Sequence, residues 1–309
     1  MKILLMGYSS LAKRKIIPAI ENAKFIKSFD CATVSQKIEF EKYPKLNEVY
    51  GSYQDAIKSS NAEFVYISTA NHLHFELIKS SILHNKNVIV DKPSVLSYKE
   101  AQYLYNLSLD HKKIIVEAIV YKYHPQINYL LSKSEEIKQI SVNFSVPAFN
   151  KNNFRNKVNF GGGVVYDMGP YALDIGKTIF KSSPKKIISS AVFHDIPISM
   201  STIIEFDNNK RVNGFFGFNT EYINSGNFIG NSLLIKSSRL FTSDSQKSFF
   251  INETSANETK QIDFEPVDSF LIFLEYVSSL NLDDFKSINL VFLTQANDMD
   301  LLLKSINKN

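Results

Sequence analysis

The chain reads as an α/β protein. A doubly wound parallel sheet forms its N-terminal part, and an α+β domain with a large open, mostly antiparallel sheet follows. Three observations predict this. Apolar β-branched runs alternate with helix-length segments over the first 120 residues. A glycine turn, Gly7-Tyr8-Ser9-Ser10-Leu11-Ala12, joins the first run to the first helical segment. After Tyr123-His124-Pro125 the pattern changes to strands in succession.

In order, residues 3–6 are expected as the first strand, 11–22 as a helix and 26–34 as the second strand. A strand over 63–67, a helix over 73–85, a strand over 88–90, a helix over 98–110 and a strand over 113–116 complete the first part. In the second part the periodicity predicts helices over 126–134 and 163–180 and strands over 139–147, 186–193, 199–206, 211–222 and 227–236. Hairpin turns are expected at Asp207-Asn208-Asn209 and Asn224-Ser225-Gly226. Helices over 267–280 and 286–306 close the chain, and the domains are placed at 1–120 and 121–309.

A length of 309 residues suits two cores, and 44% hydrophobic with 21% charged residues is an ordinary globular composition. The formal charge of +4 is small and its lysines are dispersed, which argues against nucleic acid as a partner. One cysteine, Cys31, allows no intrachain disulfide. The N-terminal apolar run is too short for a signal peptide, and no stretch approaches the ~18 apolar residues of a membrane helix, so a cytoplasmic location is expected. Asn252-Glu253-Thr254 and Asn257-Glu258-Thr259 are expected as polar loop. The histidines show no metal-ligand spacing, and no metal is expected.

Chemistry concentrates in three stretches. Val88-Ile89-Val90-Asp91-Lys92-Pro93 is a buried strand that Pro93 stops, because proline has no N–H for the ladder. Lys92 then stands at the carboxyl edge of a parallel sheet, where α/β proteins bind ligands, and a lysine there can handle a proton. The alternative is a solvated lysine in a turn. The Lys92-Pro93 bond admits a cis form.

The glycine turn matches the Rossmann dinucleotide fingerprint at Gly7 and Ala12 but carries Ser9 at the middle position. Ser9 is small enough for its hydroxyl and N–H to meet a phosphate. The second strand ends in Thr33-Val34-Ser35-Gln36-Lys37, a hydroxyl-rich end with a lysine that suits a 2′-phosphate better than a carboxylate would. The expected cofactor is therefore NADP, with NAD as the alternative that Asp30 keeps open.

The third stretch is Gly161-Gly162-Gly163 and the helix after it, where Asp167, Tyr171 and Asp174 fall at i, i+4 and i+7 on one face. Pro170 is expected to weaken and kink that helix. His124 and Arg155 are further candidates, the latter for an anionic substrate group.

With these residues in hand the chain resembles the Gfo/Idh/MocA family, which includes glucose–fructose oxidoreductase, inositol dehydrogenase and dihydrodiol dehydrogenase. The resemblance runs in order through Gly7, Ser68-Thr69-Ala70-Asn71-His72-Leu73-His74, Asp91-Lys92-Pro93, Glu117-Ala118, Lys122-Tyr123-His124-Pro125, Asn153-Phe154-Arg155 and the 161–174 stretch. It implies hydride transfer between a nicotinamide and a hydroxyl or keto carbon of a sugar or sugar derivative, a nucleotide sugar included. By this resemblance Lys92, Tyr171 and Asp167 are catalytic, with Tyr171 where many members have histidine. A tyrosine needs a cationic neighbour to act near neutral pH, a charge that Lys92 or the oxidised nicotinamide would supply.

Gly7, Tyr8, Ser9, Ser10, Leu11, Thr33, Ser68, Thr69, Asn71, His74, Asp91 and Lys92 are expected at the cofactor. Lys122, Arg155, Asp167 and Tyr171 are expected at the substrate. The resemblance also implies a homodimer or homotetramer formed through the C-terminal sheet. Two rival readings keep the fold: a non-catalytic dinucleotide-binding sensor or scaffold, and an enzyme whose tightly bound cofactor cycles in place.

Overall fold

The computed structural model describes residues 1–34, 38, 40–242 and 244–306. They form two units, one of Met1–Ile119 with Phe270–Ala296 and one of Val120–Ser269 continued from Asn297 onward.

The first unit is a six-stranded sheet in the order β3-β2-β1-β4-β5-β6, with every pairing parallel. Its strands are β1 (Lys2–Met6), β2 (Ser28–Ala32), β3 (Leu46–Tyr50), β4 (Phe64–Ile67), β5 (Asn87–Asp91) and β6 (Ile115–Ala118). This is the doubly wound order, which reverses between β1 and β4. Every residue of β4 is buried, as are Ile3–Met6 and all of β5 but Asp91, which is why these strands read as unbroken apolar runs. Each fully buried aliphatic side chain contributes about 1.5–3 kcal/mol to this core.

The connecting helices are α1 (Ile17–Asn22), α2 (Tyr53–Ser59), α3 (His74–Leu83) and α4 (Tyr98–Asp110). A π-helical turn, Ala12–Ile16, precedes α1, so the helix expected over 11–22 is divided. Pro18 in the first turn of α1 has no N–H to give the carbonyl four residues back, and the Ile17 N–H reaches Ala12 O instead. Ser97 and Glu100 close a capping box on α4. β3 and α2 were not anticipated, because β3 is an edge strand with Asn47, Glu48 and Val49 exposed and shows no apolar run.

In the second unit α5 (Pro125–Ser132) and α6 (Val164–Phe180) accompany an eight-stranded sheet. Its strands are β7 (Ile137–Val146), β8 (Lys186–Phe193), β9 (Pro197–Glu205), β10 (Arg211–Phe218), β11 (Ile223–Gly230), β12 (Leu233–Ser237), β13 (Phe249–Ser255) and β14 (Glu258–Phe264). The order is β14-β13-β12-β11-β7-β10-β9-β8, and only β7–β10 is parallel.

The hairpin turn at Asp207–Asn209 is present, with Asn208 and Asn209 at φ 56° and 59°. The turn expected at Asn224-Ser225-Gly226 is instead the middle of β11, paired with β7, and the strand expected over 227–236 is the two arms of the β11–β12 hairpin. Small residues there serve packing: a Cβ on Gly226 would lie 2.7 Å from Leu240 Cδ2. The segment expected as polar loop is the edge hairpin β13–β14, turning at Ala256 and Asn257 with φ 49° and 66°. An edge hairpin buries so little that its sequence looks like loop. Pro170 sits buried inside α6, which runs unbroken from Val164 to Phe180.

The closing helices are α7 (Ser269–Ser279) and α8 (Phe285–Ile306). Their residues 270–296 group with the first unit, so a single cut at residue 120 does not describe the division. Phe292 and Ala296 join the core cluster of Val65, Val88 and Ile115. Asn289, fully buried, accepts from the Ile115 N–H at 2.8 Å and donates to Lys113 O at 2.8 Å and Ser108 Oγ at 2.7 Å. Replacing Asn289 by alanine strands a buried donor and acceptor at the start of β6. The expected loss is about 2–4 kcal/mol, read as a lowered urea midpoint.

Candidate active site

The carboxyl ends of β1, β4, β5 and β6 carry Gly7, Ser68, Lys92 and Ile119 side by side. The residues around Lys92 are held one by one, Asp91 through its carboxylate and Pro93 and Ser94 through their backbone. Asp91 accepts from the Ser68 hydroxyl at 2.7 Å and the Tyr66 hydroxyl at 3.2 Å. The Lys92-Pro93 peptide bond is cis. The Pro93 carbonyl faces His74 Nδ1 at 2.9 Å, and the Ser94 N–H donates to Glu117 Oε1 at 2.8 Å. Lys92 itself is half-buried. Glu117, to which the sequence assigned no role, is a charged residue near the end of an apolar strand and pairs in register with Val90, two residues before Lys92. That position was the signal available to find it.

His74 is fully buried, and its two ring nitrogens face backbone carbonyls, Pro93 O at 2.9 Å and Thr69 O at 3.3 Å. It was expected to line the cofactor; it joins two loops instead. Burial pushes its pKa down to about 4, although both carbonyls favour the charged ring. A neutral ring has one N–H, and the shorter contact assigns it to Nδ1.

The glycine turn leans on the same edge. Gly7 has φ 99°, and a Cβ there would lie 2.4 Å from the Ser68 carbonyl oxygen, so no other residue fits. Ser9, expected to offer its hydroxyl to a phosphate, has turned inward: Oγ accepts from the Ala12 N–H at 3.0 Å and lies 3.0 Å from Ser68 Oγ. Tyr8 is buried beneath the turn, with its hydroxyl 2.7 Å from that of Tyr43 and Lys13 Nζ 4.4 Å above its ring. Ser10 is exposed, Leu11 and Thr69 half-buried, and Asn71 buried. Thr33 is buried, its N–H bonded to Tyr50 O.

Asp30 has no access to a ribose. It is fully buried, 2.9 Å from Lys2 Nζ, and accepts from Ser60 and Asn47. Ser35 and Lys37, part of the expected 2′-phosphate end, lie outside the described residues. A glycine that cannot be replaced, at the turn between β1 of a parallel sheet and the first helical turn, fits a dinucleotide.

In the second unit Arg155 and Asp167 pair, Nε to Oδ2 at 3.1 Å, and the guanidinium lies against the rings of Phe149 and Phe154 at 5.2 and 4.6 Å. The glycine loop makes this pairing close. The Gly163 N–H donates to Arg155 O, and a Cβ on Gly162 would lie 2.5 Å from the same oxygen. Asp174 sits in a buried cluster beside Tyr121, the ring that also packs on Tyr171, accepting from Tyr121 at 2.6 Å, Lys122 at 3.0 Å and Thr178 at 3.2 Å. Lys122, expected at the substrate, is thus engaged with Asp174.

Burial, and then the Asp174 charge, hold the Tyr121 hydroxyl protonated well above the usual range. Tyr171 is half-buried among the rings of Tyr121, Phe144 and Phe241, whose centroids lie 5.8, 5.6 and 5.0 Å away. His124 caps α5 through Nδ1 and packs on Phe249 and Phe264, buried and away from solvent.

Residues 1–118 match the model of the oxidoreductase family with an NAD-binding Rossmann fold, Gfo/Idh/MocA. The match covers the first unit up to the end of β6 and leaves out its residues 270–296. Relatives of this chain include an uncharacterized oxidoreductase of Rhizobium meliloti, 25% identical over 60% of this chain and 58% of that protein. Another is dTDP-3,4-didehydro-2,6-dideoxy-alpha-D-glucose 3-reductase of Actinomadura kijaniata, 19% identical over 78% of this chain and 75% of that one. Among solved structures, a 3-ketoreductase from Actinomadura kijaniata in complex with NADP and TDP-benzene superposes with a TM-score of 0.88. Its identity is 17%, with 99% of this chain and 98% of that chain covered, a likeness of fold across both units. Among the described residues no helix is long and apolar enough to cross a membrane.

The buried His74 makes stability depend on pH with a definite sign. Its folded pKa of about 4 lies below the unfolded value of 6.5, so its contribution is complete above pH 6.5 and is lost as pH falls toward 4. The difference corresponds to about 3 kcal/mol. Urea midpoints measured from pH 7.5 down to pH 5 are expected to fall faster for the wild type than for His74→Gln, which has no ring to protonate.

Proposed function

We propose that the protein is an NAD(P)-dependent oxidoreductase acting on a hydroxyl or keto carbon of a sugar or sugar derivative. NADP is the preferred coenzyme and a nucleotide-linked sugar the finer substrate class. The observation that carries this reading is the pinning of the residues on both sides of Lys92, the Asp91 carboxylate before it and the Pro93 and Ser94 backbone after it, on the ligand-binding edge of the parallel sheet. Four side chains spent on the three residues that flank Lys92 are hard to explain for a solvated turn lysine. The A. kijaniata reductase acts on a dTDP-linked keto sugar by its name, and the solved 3-ketoreductase holds NADP with a TDP compound, which supports the substrate class.

When bound, the nicotinamide supplies or accepts the hydride at the substrate carbon. The residues assigned to it are Gly7, Tyr8, Ser9, Ser10, Leu11, Thr33, Ser68, Thr69, Asn71 and Asp91, with His74 acting through the loops it joins. Lys92 and Tyr171 handle the proton of the substrate hydroxyl. Tyr171 is aimed by its three aromatic neighbours, which restrict its rotamers. Asp167 is a carboxylate already neutralised by Arg155, suited to accepting a hydrogen bond from a sugar hydroxyl. Lys122 acts through Asp174.

Turnover of NADPH or NADH with a panel of free and nucleotide-linked keto sugars tests the reading, and a purified protein that binds coenzyme but turns over none of them is a sensor instead. Lys92→Ala is expected to lower turnover about 10²–10⁴-fold, the range of a lost proton-handling group, with coenzyme affinity kept within about tenfold. Wild-type turnover in that variant refutes the assignment.

We also infer a homodimer or homotetramer through the second unit's sheet. Ile188 and Ile203 are paired neighbours, both exposed, in a hollow of about 500 Å³ that Ser141, Asn143, Ser201 and Phe215 help to line. Ile203→Lys is expected to shift the mass measured by light scattering toward that of the monomer; a wild-type protein that is already monomeric excludes this assembly.

A further inference from the structure

Ser9 stands where the dinucleotide fingerprint has its middle glycine, and its hydroxyl begins an ordered chain that the function above does not use. The directions follow from counting protons. Ser68 has one hydroxyl proton and gives it to Asp91 Oδ2 at 2.7 Å. The 3.0 Å contact between the serines is therefore a donation from Ser9 to Ser68. Ser9 Oγ in turn accepts from the Ala12 N–H. The chain runs from the first helical turn, through the middle of the glycine turn, to the residue whose backbone continues into Lys92.

Its central link is shielded from solvent, because Ser68 is 2% exposed, while Ser9 and Asp91 are half-buried. Tyr66 supports the far end: it is fully buried, and burial together with the neighbouring Asp91 keeps its hydroxyl protonated and donating. The turn and the β4 end are also in contact through backbone, since the Ser68 N–H donates to Met6 O and Gly7 packs on the Ser68 carbonyl. A glycine at position 9 would satisfy the fingerprint but would break the hydroxyl chain at its first link.

We propose that Ser9 is a positioning residue that couples occupancy of the glycine turn by the dinucleotide to the strand end bearing Lys92. A shift of the turn displaces the Ser9 hydroxyl, and through Ser68 it acts on Asp91, so the two parts of the edge respond together. This rests on the dinucleotide binding proposed above, and the test separates the two.

NADPH binding is followed by nicotinamide fluorescence, and hydrogen exchange of residues 91–97 is compared with and without saturating NADPH. In the wild type and Ser9→Thr, NADPH is expected to slow that exchange. In Ser9→Gly and Ser9→Ala the added protection is expected to fall about fivefold, the equivalent of one neutral hydrogen bond, although both still saturate with NADPH. Ser68→Ala cuts the same relay at its second link, with the residues of the turn unchanged, and is expected to give the same loss. Protection in Ser9→Gly equal to that of the wild type overturns the proposal and leaves dinucleotide binding standing. A wild-type protein that does not bind NADPH overturns both.

Discussion

The constraint on which the candidate site depends is the fixed backbone at the end of β5. A parallel strand that stops at a proline leaves its last groups without ladder partners, and unpaired backbone polar groups cost free energy when buried. Here side chains take two of those places, His74 at the Pro93 carbonyl and Glu117 at the Ser94 N–H, while Ser68 and Tyr66 hold the Asp91 carboxylate beside them. The segment that carries Lys92 is held by the sheet's own edge. The orientation of a flexible lysine therefore starts from a rigid origin, as proton transfer requires.

The second unit uses its charges in the opposite way. Asp167 and Asp174, one face of a helix in the sequence, are divided between two cations, Arg155 and Lys122. Each pair is partly buried, so each charge is neutralised close to where it sits. Tyr171, between them in sequence, is left in a setting of rings. That setting aims the phenol without committing its helix neighbours to it.

Much of the first unit was legible because a strand buried on both faces has no way to disguise itself: β1, β4 and β5 are unbroken apolar runs. The glycine turn was legible because Gly7 meets a geometric demand that no other residue can. Legibility failed where burial was partial. β3 and the β13–β14 hairpin are edge elements with polar sequences, and Asn224-Ser225-Gly226 looked like a turn although its small residues serve close packing inside β11. His74 had the right spacing for a cofactor contact, but spacing cannot say which way a ring points.

By itself the sequence determined the buried strands β1, β4 and β5, the carboxyl-edge position of Lys92 and the requirement for glycine at residue 7. Those follow from periodicity, from proline's missing N–H and from local backbone sterics. Only the tertiary structure decided that Asp30 is buried against Lys2, that Ser9 turns inward to Ser68, that Asp91 is held by Tyr66 and Ser68, and that residues 270–296 belong with the first unit. These depend on hydrogen bonds and burial between residues far apart in the chain, and no local pattern encodes which distant partner a polar side chain will meet.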